Sequence, residues 1–150
     1  MKKNHYMISA IEEAKKAATL GEVPIGAIIV DGESGKIIAS AHNLTENNND
    51  PTAHAEIIAI QAACKTLGAP RIPDCDIYVT LEPCSMCATA ISFARIRRVY
   101  FGAYDPKGGG VDHGAKIYDQ TTCNHKPEVY GGICETECGE LLKNFFKDKR

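Results

Sequence analysis

Three side chains of the types that bind borderline metal ions stand near two helix starts in this sequence. They are His54, in His54-Ala55-Glu56, and, thirty residues on, Cys84 and Cys87 in Pro83-Cys84-Ser85-Met86-Cys87. Singly, each piece has an ordinary reading. A histidine on a half-apolar helix is more often a packed or surface residue than a ligand, and C-x-x-C alone fits a redox pair or half of a structural zinc site. Together they describe something narrower, because a structural zinc is closed by four protein ligands whereas a catalytic one takes three and leaves a position for water. Cys84 and Cys87 lie one helical turn apart, and a helix N-terminus beside a metal favours their thiolate forms. Glu56, two residues from His54, points to another side of its turn, which makes it a poor fourth ligand but a suitable proton acceptor beside a water at the metal. The competing reading of Glu56 is a first-turn acid that stabilises the helix dipole.

The elements that must position these residues are legible from periodicity. Met7, Ile8, Ile11, Ala14, Ala17, Ala18 and Leu20 recur at helical spacing, which predicts a helix over 6–20 closed by Gly21. A buried strand over 25–30 turns through Asp31-Gly32-Glu33-Ser34-Gly35 into a second strand over 36–40. After a polar loop over 43–50, Asp50 is an N-cap candidate with Pro51 at the first helical position, so a helix is expected over 51–67, stopping at Gly68. Strands over 77–80 and 98–102 bracket a helix over 84–94, which points to parallel βαβ packing. Asp105-Pro106-Lys107-Gly108-Gly109-Gly110 reads as a loop, 128–130 as a strand, and 137–149 as a closing helix with acids early and bases late. The expectation is one α/β domain over 1–150.

Composition narrows the class. The chain has 150 residues with a net charge of −2, which by itself argues against a basic nucleic-acid-coating module. The bases are concentrated, however: residues 93–110 and 141–150 each hold four bases against one acid, leaving the remaining body acidic. Arg95, Arg97, Arg98 and Lys107 are read as flanking the glycine loop, and Lys143, Lys147, Lys149 and Arg150 as crowding the last helix; both clusters are candidate RNA contacts, with a solvated face as the alternative. No apolar run approaches the ~18 residues of a membrane span, and the opening Met1-Lys2-Lys3-Asn4-His5-Tyr6 lacks the apolar core of a secretory signal, so a cytoplasmic protein is expected. Seven cysteines cannot all pair within the chain. Those outside the C-x-x-C raise a second metal site at Cys123, His125, Cys134 and Cys138, set against inert or buried thiols.

H-x-E followed by P-C-x-x-C is the signature of the zinc-dependent nucleobase deaminases, and the sequence resembles that superfamily. Gly21-Glu22-Val23-Pro24-Ile25-Gly26-Ala27, Asp50-Pro51-Thr52-Ala53-His54-Ala55-Glu56, Val79-Thr80-Leu81-Glu82-Pro83-Cys84, Ala94-Arg95-Ile96 and Glu137-Cys138-Gly139-Glu140-Leu141-Leu142 extend the likeness over nearly the whole chain, to the bacterial tRNA-specific adenosine deaminases. The resemblance implies a three-layer α/β/α cytidine-deaminase-like fold with a central five-stranded mixed sheet. It also implies a homodimer that converts the wobble adenosine of a tRNA anticodon loop, typically of an arginine tRNA, to inosine. By the same resemblance His54, Cys84 and Cys87 match the ligands of one catalytic Zn2+ and Glu56 the proton shuttle, while Asn43, Ala55 and Asp105 match substrate-contacting positions. Thr89, in Ala88-Thr89-Ala90, stands where many relatives have glycine, a change a helix tolerates. Two other functions fit the same core: a deaminase of a free base or nucleoside such as guanine or cytosine, and a non-catalytic zinc- or RNA-binding module, against which Glu56 and the three-ligand count both speak.

Overall fold

The computed structural model describes residues 2–148, with side chains from Asn4 onward; Lys149 and Arg150 of the basic tail lie outside the described residues. Its elements run α1 (Lys2–Thr19), β1 (Gly26–Asp31), β2 (Ile37–His42), α2 (Ala55–Leu67), β3 (Cys75–Leu81), α3 (Ser85–Phe93), β4 (Arg98–Ala103), a short 3-10 turn (Ile117–Asp119), β5 (Glu128–Tyr130) and α4 (Glu135–Asp148). The sheet order is β2-β1-β3-β4-β5. β1 pairs antiparallel with β2 and β3, while β3, β4 and β5 are parallel, the β3–β4 crossover being α3. The mixed five-stranded sheet and the βαβ unit expected from the sequence are therefore present.

Side-chain alternation along the strands sorts the core into two halves. Ala27, Ile29, Ile77, Val79, Val99 and Phe101 pack with α2 and α3 on one face. Ile28, Val30, Tyr78 and Tyr100 pack with Met7, Ala10 and Ile11 of α1 and Cys138 of α4 on the other. This places one helical layer on each side of the sheet, and because both faces are covered, β1, β3 and β4 read as near-continuous apolar runs. α1 lies so close on β1 that a Cβ at Gly26 would fall on the Ala10 carbonyl oxygen and within 2.6 Å of the Ala14 nitrogen. The stacked rings of Tyr78 and Tyr100, 4.4 Å apart, continue the packing across β3 and β4.

One helix starts later than its sequence signals predict. Asp50 does not cap α2; its Oδ1 instead accepts the N–H and hydroxyl of Thr52 at 2.9 and 2.7 Å, closing a local turn that holds Pro51 outside the helix. α2 begins at Ala55, with His54 as its N-cap in extended backbone (φ −73, ψ 151). Its end is as expected, at Gly68 in the left-handed region with φ 67.

Candidate active site

The chemistry is built at two helix N-termini. β3 delivers the chain through Leu81, Glu82 and Pro83 to Cys84, the N-cap of α3 (φ −69, ψ 174), and Cys87 follows in that helix's first turn. α2 packs beside α3 and presents His54 from its own N-cap. His54 Nδ1 is 3.6 Å from Cys84 Sγ and 3.5 Å from Cys87 Sγ. The three donor atoms lie within 4.8 Å of one another, and among the described residues no other group of three or more His, Cys, Asp or Glu side chains is arranged to hold a metal ion.

Those spacings fit an ion at the centre. With bonds of about 2.3 Å to sulfur and about 2.05 Å to nitrogen, a tetrahedral angle gives an S···N edge of about 3.6 Å. The donor set is one imidazole and two thiols, a borderline-soft combination that favours zinc over hard cations. The two N-termini add positive potential. Without a metal the charges share out unevenly: the Cys87 thiol and His54 hold the Cys84 thiol down at about 4, against the effect of burial. The proton stays on Cys87, raised by that same contact and by burial, and the imidazole of His54 is raised by its bond to Cys84. The surroundings thus favour the thiolate form of Cys84, the form that ligates a metal ion.

Glu56 is 4% exposed, in the first turn of α2. Burial lifts its carboxyl to about 7, with the Cys84 charge adding to the rise. A carboxyl poised near neutrality beside a metal-ligand cluster is suited to receiving and returning a proton, and the dipole-stabilising reading would leave it exposed and acidic.

Asn43 is buried and its Oδ1 accepts the Ala55 N–H at 3.2 Å. The histidine N-cap makes no side-chain cap bond of its own, so Asn43 supplies that bond from across the site. Ala55 is fully buried and its N–H is engaged by that contact. Asp105 turns its carboxylate into its own loop, where Oδ1 accepts the N–H of Lys107 at 3.3 Å and of Gly108 at 2.9 Å. Thr89 bonds back to the Ser85 carbonyl at 2.8 Å, which explains how a hydroxyl is accommodated in α3.

Two buried acids shape the loops around the site, and the sequence offered no sign of either role. Glu22, 1% exposed, accepts from the Thr45 hydroxyl, the Glu46 N–H and both the N–H and amide of Asn47, fixing the loop that leads from Asn43 to His54. Glu82 does the same for the glycine loop. Tyr118, also unforeseen, is buried and bonds the Ala88 carbonyl at 2.8 Å, tying the 3-10 turn to α3.

The basic residues divide. Arg95, Arg97 and Arg98 do not flank the glycine loop: they precede or open β4, and that loop leaves its far end, about 17 Å along a six-residue strand. Arg97 is held in a two-pronged ion pair by Asp76 (3.0 and 2.8 Å), Arg98 pairs with Glu128 at 3.3 Å, and Arg95 bonds the Ser92 carbonyl. Lys107, by contrast, lines a groove with Val23, Leu81, Tyr104, Asp105, Leu142 and Phe146, next to the exposed Lys143 and Lys147 of α4. The second metal site is not formed. Cys123 packs with the α2/α3 half of the core, bonding the His125 carbonyl at 3.2 Å, whereas Cys134 and Cys138 belong to the opposite face of the sheet. His125 itself is engaged by the Ile96 carbonyl at 2.6 Å. All seven cysteines are free thiols.

A MafB19-like deaminase family model matches residues 1–150. The chain belongs to that family. Among curated relatives, this deaminase is 53% identical over 148 residues to a tRNA-specific adenosine deaminase of Agrobacterium fabrum, covering 99% of this chain and 96% of that one. It is 49% identical over 145 residues to the tRNA-specific adenosine deaminase of Bacillus subtilis, covering 97% and 89%. Among solved structures it resembles, with TM-score 0.89 and 54% identity over 92% of this chain and 99% of the other, one from studies of A-to-I editing by tRNA:A34 deaminases at the wobble position of transfer RNA. The chain thus combines the deaminase fold with a His/Cys/Cys group positioned for a metal ion.

Proposed function

We propose that this chain is a single-domain, zinc-dependent hydrolase that converts the wobble adenosine of a tRNA anticodon loop to inosine. The observation that carries the reading is the juxtaposition of the His54–Cys84–Cys87 cluster, spaced for a tetrahedral ion, with the buried carboxyl of Glu56; the relatives named above carry the choice of substrate. His54, Cys84 and Cys87 would hold one Zn2+, which when bound supplies Lewis-acid activation of a water molecule. Glu56 takes a proton from the attacking water and passes it to N1 of the purine as the C6–O bond forms. It then carries the second proton to the exocyclic amine, so that the C6–N bond breaks and ammonia leaves with inosine as product. Asn43, whose Oδ1 is occupied by Ala55, offers its amide N–H to an acceptor on the base, and Asp105 orders the neighbouring loop against the ribose side.

A loop nucleotide can be splayed into such a site at lower cost than a paired one. Lys107, Lys143 and Lys147 contact the phosphates of that loop. A homodimer is supported by the apolar groove that Ile57, Ile60, Pro70, Ala90, Ala94 and the 70%-exposed Phe93 form across α2 and α3. No helix among the described residues is long and apolar enough to cross a membrane, and a tRNA substrate supports a cytoplasmic location. The test is incubation of the purified protein with an arginine tRNA transcript carrying a wobble adenosine, followed by sequencing for inosine, with a transcript lacking that adenosine as control. Deamination of free guanine, cytosine or nucleosides without tRNA activity would replace this reading with the free-base one.

A further inference from the structure

Among the described residues, Glu82 is the most heavily engaged side-chain acceptor. Its side chain is fully buried, yet no lysine or arginine among the described residues pairs with it. Five donors converge on its two oxygens, all from one loop. Oε1 accepts the Asp105 N–H at 3.0 Å and lies 2.8 Å from His113 Nδ1; Oε2 accepts the N–H groups of Val111, Asp112 and His113 at 3.2, 3.0 and 3.1 Å. The backbone N–H of Glu82 meanwhile donates to the Ala103 carbonyl at 2.8 Å, anchoring it to β4, and two residues later the chain reaches Cys84. One residue therefore joins the sheet, the start of the metal-ligand helix and the whole of loop 105–113.

The loop is moulded to this carboxylate. A Cβ at Gly109 would fall on Glu82 Oε2 and within 2.6 Å of the Asp105 carbonyl oxygen, and one at Gly110 would lie 2.5 Å from the Ser85 nitrogen. The Gly110 N–H donates to the Pro83 carbonyl at 2.8 Å, seating the loop on the N-terminus of α3. The successive glycines are thus required by close approach to Glu82 and Ser85, not only by loop flexibility.

We propose that Glu82 is a positioning residue that sets the register of the 105–113 loop over the Cys84–Cys87 turn, so that Asp105 and Lys107 meet the RNA at a fixed place relative to the reacting centre. The proposal rests on the RNA-deaminase reading above. It is specific about kinetics: a displaced loop weakens RNA binding, while Glu56 and the ligand cluster, which lie outside the Glu82 side chain's hydrogen bonds to 105–113, keep the chemical step.

The test uses metal-loaded full-length Glu82→Gln and Gly109→Ala, which disturb the same contact from its two sides. Gln offers one acceptor oxygen and turns an NH2 toward donors, leaving buried N–H groups unpaired; the cost falls on the loop's conformation, and about tenfold of it is expected to reach RNA binding. Expected are one metal per chain, loss of amide-exchange protection confined to 105–113, and a KM and Kd for an anticodon hairpin raised about tenfold with kcat within about threefold. The double variant should be no worse than the poorer single one. Unchanged KM and Kd, a fall confined to kcat, or loss of protection throughout the sheet would overturn the proposal. If Glu82→Gln does not fold, Gly109→Ala decides by the same criteria. If the wild type forms no inosine, the deaminase reading fails while hairpin affinity and exchange still judge the loop.

Discussion

Replacing Glu56 by Gln is the perturbation that most directly tests the chemistry. The carboxyl is 4% exposed, so bulk water has little access to replace it, and in the proposed mechanism the same group acts in two successive transfers, to N1 and to the leaving amine. A positioned general acid–base contributes about 10²–10⁴-fold, and both features place Glu56 toward the upper part of that range. Single-turnover inosine formation should therefore slow by about 10³–10⁴-fold, equivalent to about 4–5.5 kcal/mol of barrier. Metal content, measured by elemental analysis, should stay at one per chain, because the donor group spaced for an ion is His54, Cys84 and Cys87 and does not include Glu56. Unfolding can be separated from catalytic loss by sign. Burial raises the Glu56 carboxyl to about 7 in the metal-free protein, so its ionisation costs stability as pH rises from about 4.5 through about 7. Metal-free Glu56→Gln, lacking that cost, should be at least as stable as metal-free wild type at pH 8. Activity within tenfold of wild type would refute the shuttle assignment, and loss of metal together with activity would make Glu56 a ligand instead.

Neutralising Lys107, Lys143 and Lys147 together should lower the slope of log K against log salt for an anticodon hairpin by about 2, at about 0.7 per phosphate contact, whereas neutralising Arg98 should leave it unchanged; titrations by fluorescence anisotropy at several salt concentrations decide. Gly26→Ala should destabilise the fold by about 3 kcal/mol or more in urea unfolding, since the new methyl meets α1 backbone that cannot rotate away. Burial would raise Glu22, but the Asn47 side chain and N–H, the Glu46 N–H and the Thr45 hydroxyl together hold it below its ordinary value. Its contribution is complete above about pH 4.5 and is lost as pH falls through the depressed folded value, so Glu22→Gln should lower Tm at pH 7 and flatten the acid limb of Tm against pH. Cys84→Ser should abolish stoichiometric metal binding and inosine formation together, checked by elemental analysis on the same samples used for activity.

Much of the site was legible because the relevant information is local. Cys84 and Cys87 need only the first turn of one helix to face together, and Pro83 marks where that helix starts. Glu56 is set by its two-residue offset from His54, and the apolar periodicities of α1, β1 and α4 survive as elements with shifted ends. The start of α2 was misplaced because Asp50 has two local uses of nearly equal merit, a helix cap or a turn around Pro51; the turn is the one formed, and it makes His54 an N-cap rather than a mid-turn residue.

Residue types and their spacing along the chain suffice to mark the side chains that could ligate a metal, the carboxyl beside them, and the alternation of strands and helices around them. Which of these groups end up as neighbours depends on long-range packing. The six-residue run of β4 puts Arg97 and Arg98 at one end of the sheet and the glycine loop at the other, although they are close in the chain. Sheet faces alternate, so Cys123 and Cys138 are separated by the sheet itself. Glu22 and Glu82 look like ordinary acids in the sequence because their partners are more than twenty residues away; burial without a counter-charge is affordable only where folding brings a loop's N–H groups around them.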